Sequence, residues 1–189
     1  MFHMKPMSYP DAINRYIELL KEYNETTNIY SKSAYDKLDF HIQDCMTLAS
    51  LIGQPKVIVD MGSGSGLPSV ILAILLSKSK VIAVESKSRK SAFLNLVKSE
   101  LDLSNYEVVQ EDINQLMRTR KLKPSVITAK AFAPYDKAIE IASHMAQPGT
   151  SLWIPISQVQ FEALSHIRNA DFKLMEIRDT GFYYLQKTW

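Results

Sequence analysis

The chain has 189 residues, 46% of them hydrophobic and 22% charged, with a formal net charge of +2, an ordinary globular composition for one domain. No apolar run approaches the ~20 residues needed to span a bilayer, and the start, MFHMKPMSYPDA, has no charged region leading into an apolar core, so a soluble cytoplasmic protein is expected. One cysteine, Cys45, excludes an internal disulfide, four scattered histidines beside it make no metal-ligand cluster, and the small net charge leaves any nucleic-acid partner to be argued from local clustering.

Residues 11–23, DAINRYIELLKEY, set Ile13, Tyr16, Ile17, Leu20 and Tyr23 at helical spacing and predict a first helix. A polar link, NETTNIYSKS, leads to a second helical run from about Tyr35 to Ile52, closed by Gly53 as a cap and Pro55 as a stop. After this helical extension over residues 1–53, residues 54–189 alternate between two periods, and the whole is expected to form one unit. Strands are expected at 56–60, 80–85, 106–110, 124–129 and 150–155, with helices at 67–77, 87–100, 111–118, 135–146 and 157–168. Such alternation implies a mainly parallel sheet covered on both faces. FKLMEIRD and GFYYLQKTW, joined at Asp179-Thr180-Gly181 with no helix between them, predict a closing antiparallel hairpin. The expected fold is therefore α/β, a doubly wound, mainly parallel sheet of seven strands with an N-terminal helical extension.

The most informative stretch is residues 57–70, VIVDMGSGSGLPSV. A β-branched run ends in Asp60, and Gly62, Gly64 and Gly66 follow at alternate positions before an apolar helical run opens at Leu67. β-branched residues suit a buried strand. Glycines let the backbone turn tightly and approach a ligand, and the helix beyond presents free N–H groups to it. The third glycine comes one residue too early for the dinucleotide pattern G-x-G-x-x-G. In open α/β sheets ligands sit beyond the carboxyl ends of the strands, where strand order reverses, so the residues at those ends are the candidates. Glu85, ending VIAVE, suits both hydroxyls of a ribose, the reading the glycine loop upstream favours over a first-turn acid of the next helix. Asp112, Ile113 and Asn114 suit the edge of an adenine or a capped helix start with Asp112 as the cap. TAKAFAP sets Lys130 at the mouth of the pocket, where a lone lysine reads as solvated more often than as functional.

D-x-G-x-G-x-G looks like the first motif of S-adenosylmethionine-dependent methyltransferases with a doubly wound sheet. Four segments in order extend the likeness. They are Tyr23-Asn24 through Asn28-Ile29-Tyr30-Ser31, His41-Ile42-Gln43-Asp44-Cys45, Asp60 through Pro68, and Lys130-Ala131-Phe132-Ala133. Together they resemble the bacterial 16S rRNA guanine-N7 methyltransferases, the glucose-inhibited division protein B family, from about residue 16 to the C-terminus. The resemblance implies a monomeric enzyme that moves a methyl group from S-adenosylmethionine to a guanine N7 in the 16S rRNA of the small ribosomal subunit. It implies a cofactor site that includes Gly62, Leu67, Glu85, Ile113, Asn114 and Lys130, beside Asp60, Gly64, Gly66 and Asp112 from the reading above.

Two departures stand out. The family carries Arg where this chain has Lys130, a planar fork exchanged for a point charge. It also tends to carry Leu-Lys-Gly where this chain reads Trp153-Ile154-Pro155-Ile156-Ser157. Either a divergent lineage keeps the activity, or the substrate is altered to a protein or small molecule, or the activity is lost and a non-catalytic cofactor-binding ribosome-assembly protein remains. Guanine N7 has an in-plane lone pair and no proton, so methylating it needs no general base, and orientation alone can supply ~7–11 kcal/mol. Lys130 is accordingly a candidate for positioning. A base within rRNA demands phosphate contacts. Arg118, Arg120, Lys121 and Lys123 form one cationic cluster, and Lys87, Arg89 and Lys90, with Lys98 further on, form another; each reads as an RNA contact or as a solvated face. His41 and Asp44, three apart on a helix, read as a packing pair or a pocket wall.

Overall fold

The structure, a computed structural model, describes residues 7–168 and 170–189; the opening MFHMKP, read above for a leader, lies outside them. Two helices come first, α1 (Tyr9–Thr27) and α2 (Leu38–Ile52), with a 3-10 segment at Lys32–Lys37 between them. The alternating part follows as β1 (Val57–Met61), α3 (Ser69–Leu75), β2 (Lys80–Val84), α4 (Ser88–Glu100), β3 (Tyr106–Val109) and α5 (Ile113–Thr119). It continues through β4 (Val126–Thr128), α6 (Tyr135–Ser143), β5 (Ser151–Ile156) and α7 (Gln158–Ser165) to a hairpin of β6 (Lys173–Ile177) and β7 (Phe182–Thr188).

The seven strands form one sheet in the order β3-β2-β1-β4-β5-β7-β6. β1 to β5 are parallel, and β7 pairs antiparallel with both β5 and β6. The doubly wound expectation and the closing hairpin are both met. Alternation along each strand divides the core. Ile58, Val81 and Tyr106 face the layer of α1 to α4, while Val59, Ile82 and Ile127 face the layer of α5 to α7. Strand order reverses between β1 and β4, which places the ligand crevice at their carboxyl ends. Each connecting helix starts at that carboxyl rim and runs back to the opposite, amino rim.

Several expected boundaries shift by two or three residues, α6 and α7 among them ending early at Ser143 and Ser165, and two shifts bear on the site. The second helical run opens as a 3-10 segment because Asn24 organises the chain before it. The Asn24 side chain accepts from Ile29 N at 2.7 Å and Tyr30 N at 2.9 Å, and donates to Tyr30 O at 2.8 Å. These bonds hold residues 28–31 in an ordered, non-helical wall. The helix expected at 67 begins at Ser69, because Leu67 and Pro68 still belong to the glycine loop. Pro155 sits in β5 beyond Trp153, the last residue paired with β4, so its missing N–H removes no bond on that side.

Candidate active site

The loop after β1 is held from three sides. Ser63 N donates to Val84 O at 3.0 Å, tying it to β2. Gly66 N donates to Ser63 O at 2.8 Å, closing the turn, and the Tyr16 hydroxyl of α1 donates to Ser65 O at 2.9 Å. Gly62 has φ +68, and a Cβ there would fall 2.5 Å from the Phe132 ring, so only glycine fits under the loop after β4. Gly64 has φ +58 and differs: a Cβ there meets nothing nearer than Gly62 O at 3.8 Å. The space over Gly64 belongs to a cavity of about 320 Å³ lined by Gly62, Ser63, Ser65, Leu67, Lys90 and Lys130, with Ile29, Tyr30 and Ser31 as its far wall. A backbone bared toward a cavity of this size is a cradle for a ligand.

The acids divide. Glu85 reaches back under the loop, its Oε2 accepting from Gly64 N at 2.9 Å and its Oε1 from Lys87 N at 2.8 Å. It thus joins the glycine loop to the start of α4, and each oxygen keeps a second lone pair. Asp60 is buried at 1% exposure, and Thr128 Oγ1 donates to its Oδ1 at 2.6 Å. Its Oδ2 has no hydrogen-bond partner among the described residues. Burial pushes its carboxyl up to about 6, against the pull of the Thr128 and Ser63 hydroxyls. Asp60 therefore supports the loop from beneath and does not line the cavity. Asp112 accepts from Asn114 N at 2.9 Å as the cap of α5, Ile113 is buried beneath the sheet, and Asn114 is exposed. All three stand at the carboxyl rim beyond β3, outside the lining of the cavity.

Lys130, just past β4, stands between that cavity and a second one of about 360 Å³. Its ammonium pairs with Asp44 Oδ2 of α2, and the Tyr184 hydroxyl of β7 donates to Asp44 Oδ1 at 2.6 Å. Burial beside Asp44 pushes the Tyr184 phenol up, which keeps it a neutral donor. His41 lines both cavities, and burial together with the charge of Lys130 lowers its pKa, so the imidazole is neutral at pH 7. Asp44 lines the second cavity beside it, so both residues stand at cavity walls. Tyr184 escaped the sequence reading altogether. It lies 140 positions from Asp44, and nothing in its β-strand pattern marks it.

The cationic clusters part company. Lys87, Arg89 and Lys90 open α4 at the carboxyl rim, where Lys90 lines the first cavity and Arg89 Nη1 approaches Thr27 O at 3.4 Å. Arg118, in the last turn of α5, and Arg120, Lys121 and Lys123, just past it, stand at the amino rim, on the far edge of the sheet. Arg120 is spoken for: its guanidinium pairs with Glu107, with Nη2 3.1 Å from Oε2, and Lys80 joins the same carboxylate at 2.8 Å. Arg120 holds the Glu107 carboxyl down to about 2.

A family profile described as rRNA small subunit methyltransferase G matches residues 10–176. Among curated relatives, the ribosomal RNA small subunit methyltransferase G of Brachyspira hyodysenteriae is 36% identical over 132 residues, covering 69% of this chain and 63% of its own length. That of Acidothermus cellulolyticus is 30% identical over 148 residues, covering 78% of this chain and 64% of its own. The chain therefore spans just under two thirds of these relatives. Of solved structures, a mutant of MtNAS in complex with S-adenosylmethionine superposes with a TM-score of 0.63 at 15% identity, covering 94% of this chain and 74% of that one. A methyltransferase from Geobacter sulfurreducens gives 0.62 at 15% identity, covering 100% and 91%. These two likenesses show the fold.

Proposed function

The chain belongs to the rRNA small subunit methyltransferase G family, and from that premise we propose that it methylates N7 of a guanine in 16S rRNA with S-adenosylmethionine as donor. The observation that carries this reading is the cavity over Gly64, which lies at the strand-order reversal and opens beside Lys130 toward a second cavity. Its residues fit the donor. The bare backbone of Gly64 lets the ligand approach closely, with Gly62 and Leu67 lining the same cavity. Glu85, already bonded to Gly64 N, keeps lone pairs for a ribose diol. Asp112, Ile113 and Asn114 would border the adenine end, and Asp60 and Gly66 fix the loop from below and behind.

When bound, the sulfonium offers an electrophilic methyl that a purine N7 lone pair can take with no proton to remove. The residues near Lys130 therefore need only hold and orient the acceptor. Lys87, Arg89 and Lys90 stand at the same rim and supply phosphate contacts, and the enzyme acts as a cytoplasmic monomer on the small subunit. No helix among the described residues is long and apolar enough to cross a membrane.

The test is direct. Purified protein, labelled S-adenosylmethionine and small subunits lacking the modification should give one N7-methylguanine, located by reverse-transcription mapping. Label on a ribosomal protein, or on another base atom, would overturn the assignment.

A further inference from the structure

The second cavity, about 360 Å³, shares His41, Lys130 and Ala131 with the first, so the two meet at Lys130. The rest of its wall is unlike the glycine loop. Phe40 stands at the cavity 47% exposed, with Tyr135 and Pro155 among the other walls. Exposed aromatic rings beside a cavity are the usual seat for an unstacked base. Its charged groups are one cation and one anion already paired, Lys130 and Asp44, with side chains 16% and 8% exposed.

The geometry points to this cavity as the acceptor-base subsite, with Lys130, held by Asp44 and Tyr184, donating to purine O6 and so choosing guanine over adenine. The inference rests on the methyl-transfer reading above and adds what selects the base. Guanine carries the O6 acceptor beside N7, whereas adenine carries the N6 amino group there. An ammonium has three N–H bonds and no acceptor. Asp44 takes one, which leaves two for a ligand, and an amino group offers them nothing to bond.

Asp44 has a second task. A bare ammonium next to N7 would oppose the positive charge that develops on the ring as the methyl arrives. Paired with Asp44, the same donor stands at O6 with its net charge cancelled. Tyr184 keeps the carboxylate in place, with its hydroxyl 2.6 Å from Oδ1 and 2.9 Å from Asp44 O. Asp44 and Tyr184 are thus positioning residues, and Lys130 is the specificity residue.

The test has two arms. In the first, S-adenosylhomocysteine saturates the donor cavity so that no adenosine moiety can enter it, and saturation-transfer NMR follows GMP, IMP and AMP. IMP retains O6 and lacks the 2-amino group. GMP and IMP should both show base-proton transfer, AMP should not, and Lys130→Met should erase the difference while Lys130→Arg keeps it. Equal signals from GMP and AMP, no GMP signal, or Lys130→Met unchanged would each overturn the subsite. In the second arm, Asp44→Asn should lower kcat on unmodified small subunits ~10–100-fold with KM within about threefold. Tyr184→Phe should show the same split, smaller. A loss in KM alone, or no loss, removes the positioning role. If wild type modifies no guanine at all, the functional reading fails, while the nucleotide arm still judges the cavity by itself.

Discussion

The two rims of the sheet carry similar sequence material and have been put to different use. Both hold a cluster of cations, both hold a positive-φ glycine facing open space, and both hold a carboxylate tied to neighbouring groups. At the carboxyl rim these are Lys87, Arg89 and Lys90, Gly64, and Glu85 bonded to Gly64 N. At the amino rim they are Arg118, Lys121 and Lys123, Gly149, and Glu107 bonded to Arg120 and Lys80. Composition does not tell them apart; topology does. In a parallel sheet the strand ends at the carboxyl rim are followed by loops and helix N-termini with free N–H groups, which no amino rim can offer. The lesson is that a residue type becomes a candidate site residue only once its rim is known.

The sharpest way to break the comparison is at the glycines. Gly64→Val should weaken S-adenosylmethionine binding by at least ~100-fold, because a branched side chain would occupy the bare surface of the cradle and strain a φ of +58. Gly149, at φ +90 with nothing within 4 Å of an added Cβ, is the control. Gly149→Ala should cost stability and leave donor affinity within about twofold. Calorimetry on both folded variants decides. Equal affinities would mean the loop over Gly64 holds no donor.

The second effect is on stability and concerns Asp60. Its carboxyl is raised from 3.8 to about 6 by burial, so between those values the folded chain binds more protons than the unfolded one. Stability contributed at this position therefore falls as pH rises from about 4 to about 6 and then levels off, a difference on the order of 3 kcal/mol. Asp60→Asn keeps an acceptor for Thr128 and removes the charge. Urea unfolding at pH 4.5, 5.5 and 6.5 (about one step apiece across that window) should show the variant gaining on wild type as pH rises. Parallel curves would show that Asp60 does not carry this cost.

Much of the architecture was legible because it depends on local signals. Period-2 and period-3.6 patterns separated strands from helices, Gly53 and Pro55 stopped α2, and Asp179-Thr180-Gly181 closed the hairpin. The glycine loop was legible for the same reason. What sequence could not supply was long-range pairing. Asp44 meets Lys130 across 86 positions and Tyr184 across 140, so its place in a pocket wall depends on three elements that sequence shows separately. Asn24 is a nearer case. Its bonds to Ile29 and Tyr30 are local, yet a buried Asn near a helix end reads the same as an exposed one. The rim of each cationic cluster was available in principle: strand–helix alternation already sends the end of α5 to the far edge.

That far edge makes the finest test. RNA association should weaken with salt, and each phosphate contact at single strands contributes a slope of about 0.7 in log affinity against log salt. Lys87→Gln, Arg89→Gln and Lys90→Gln together should lower the magnitude of the slope by about 2, with ~10-fold weaker binding to small subunits at low salt. Because Lys90 also lines the cavity over Gly64, S-adenosylmethionine affinity is measured alongside. Arg118→Gln, Lys121→Gln and Lys123→Gln together, with Arg120 left on Glu107, should leave the slope within about 0.5 of wild type. Both triple variants remove the same formal charge, so a general loss of attraction would shift them equally. Equal shifts would mean that the field of the whole protein steers RNA and neither rim touches it. A larger shift from the amino-rim variant would place the RNA on the side of the sheet away from the cavities, and the two-rim comparison would fall.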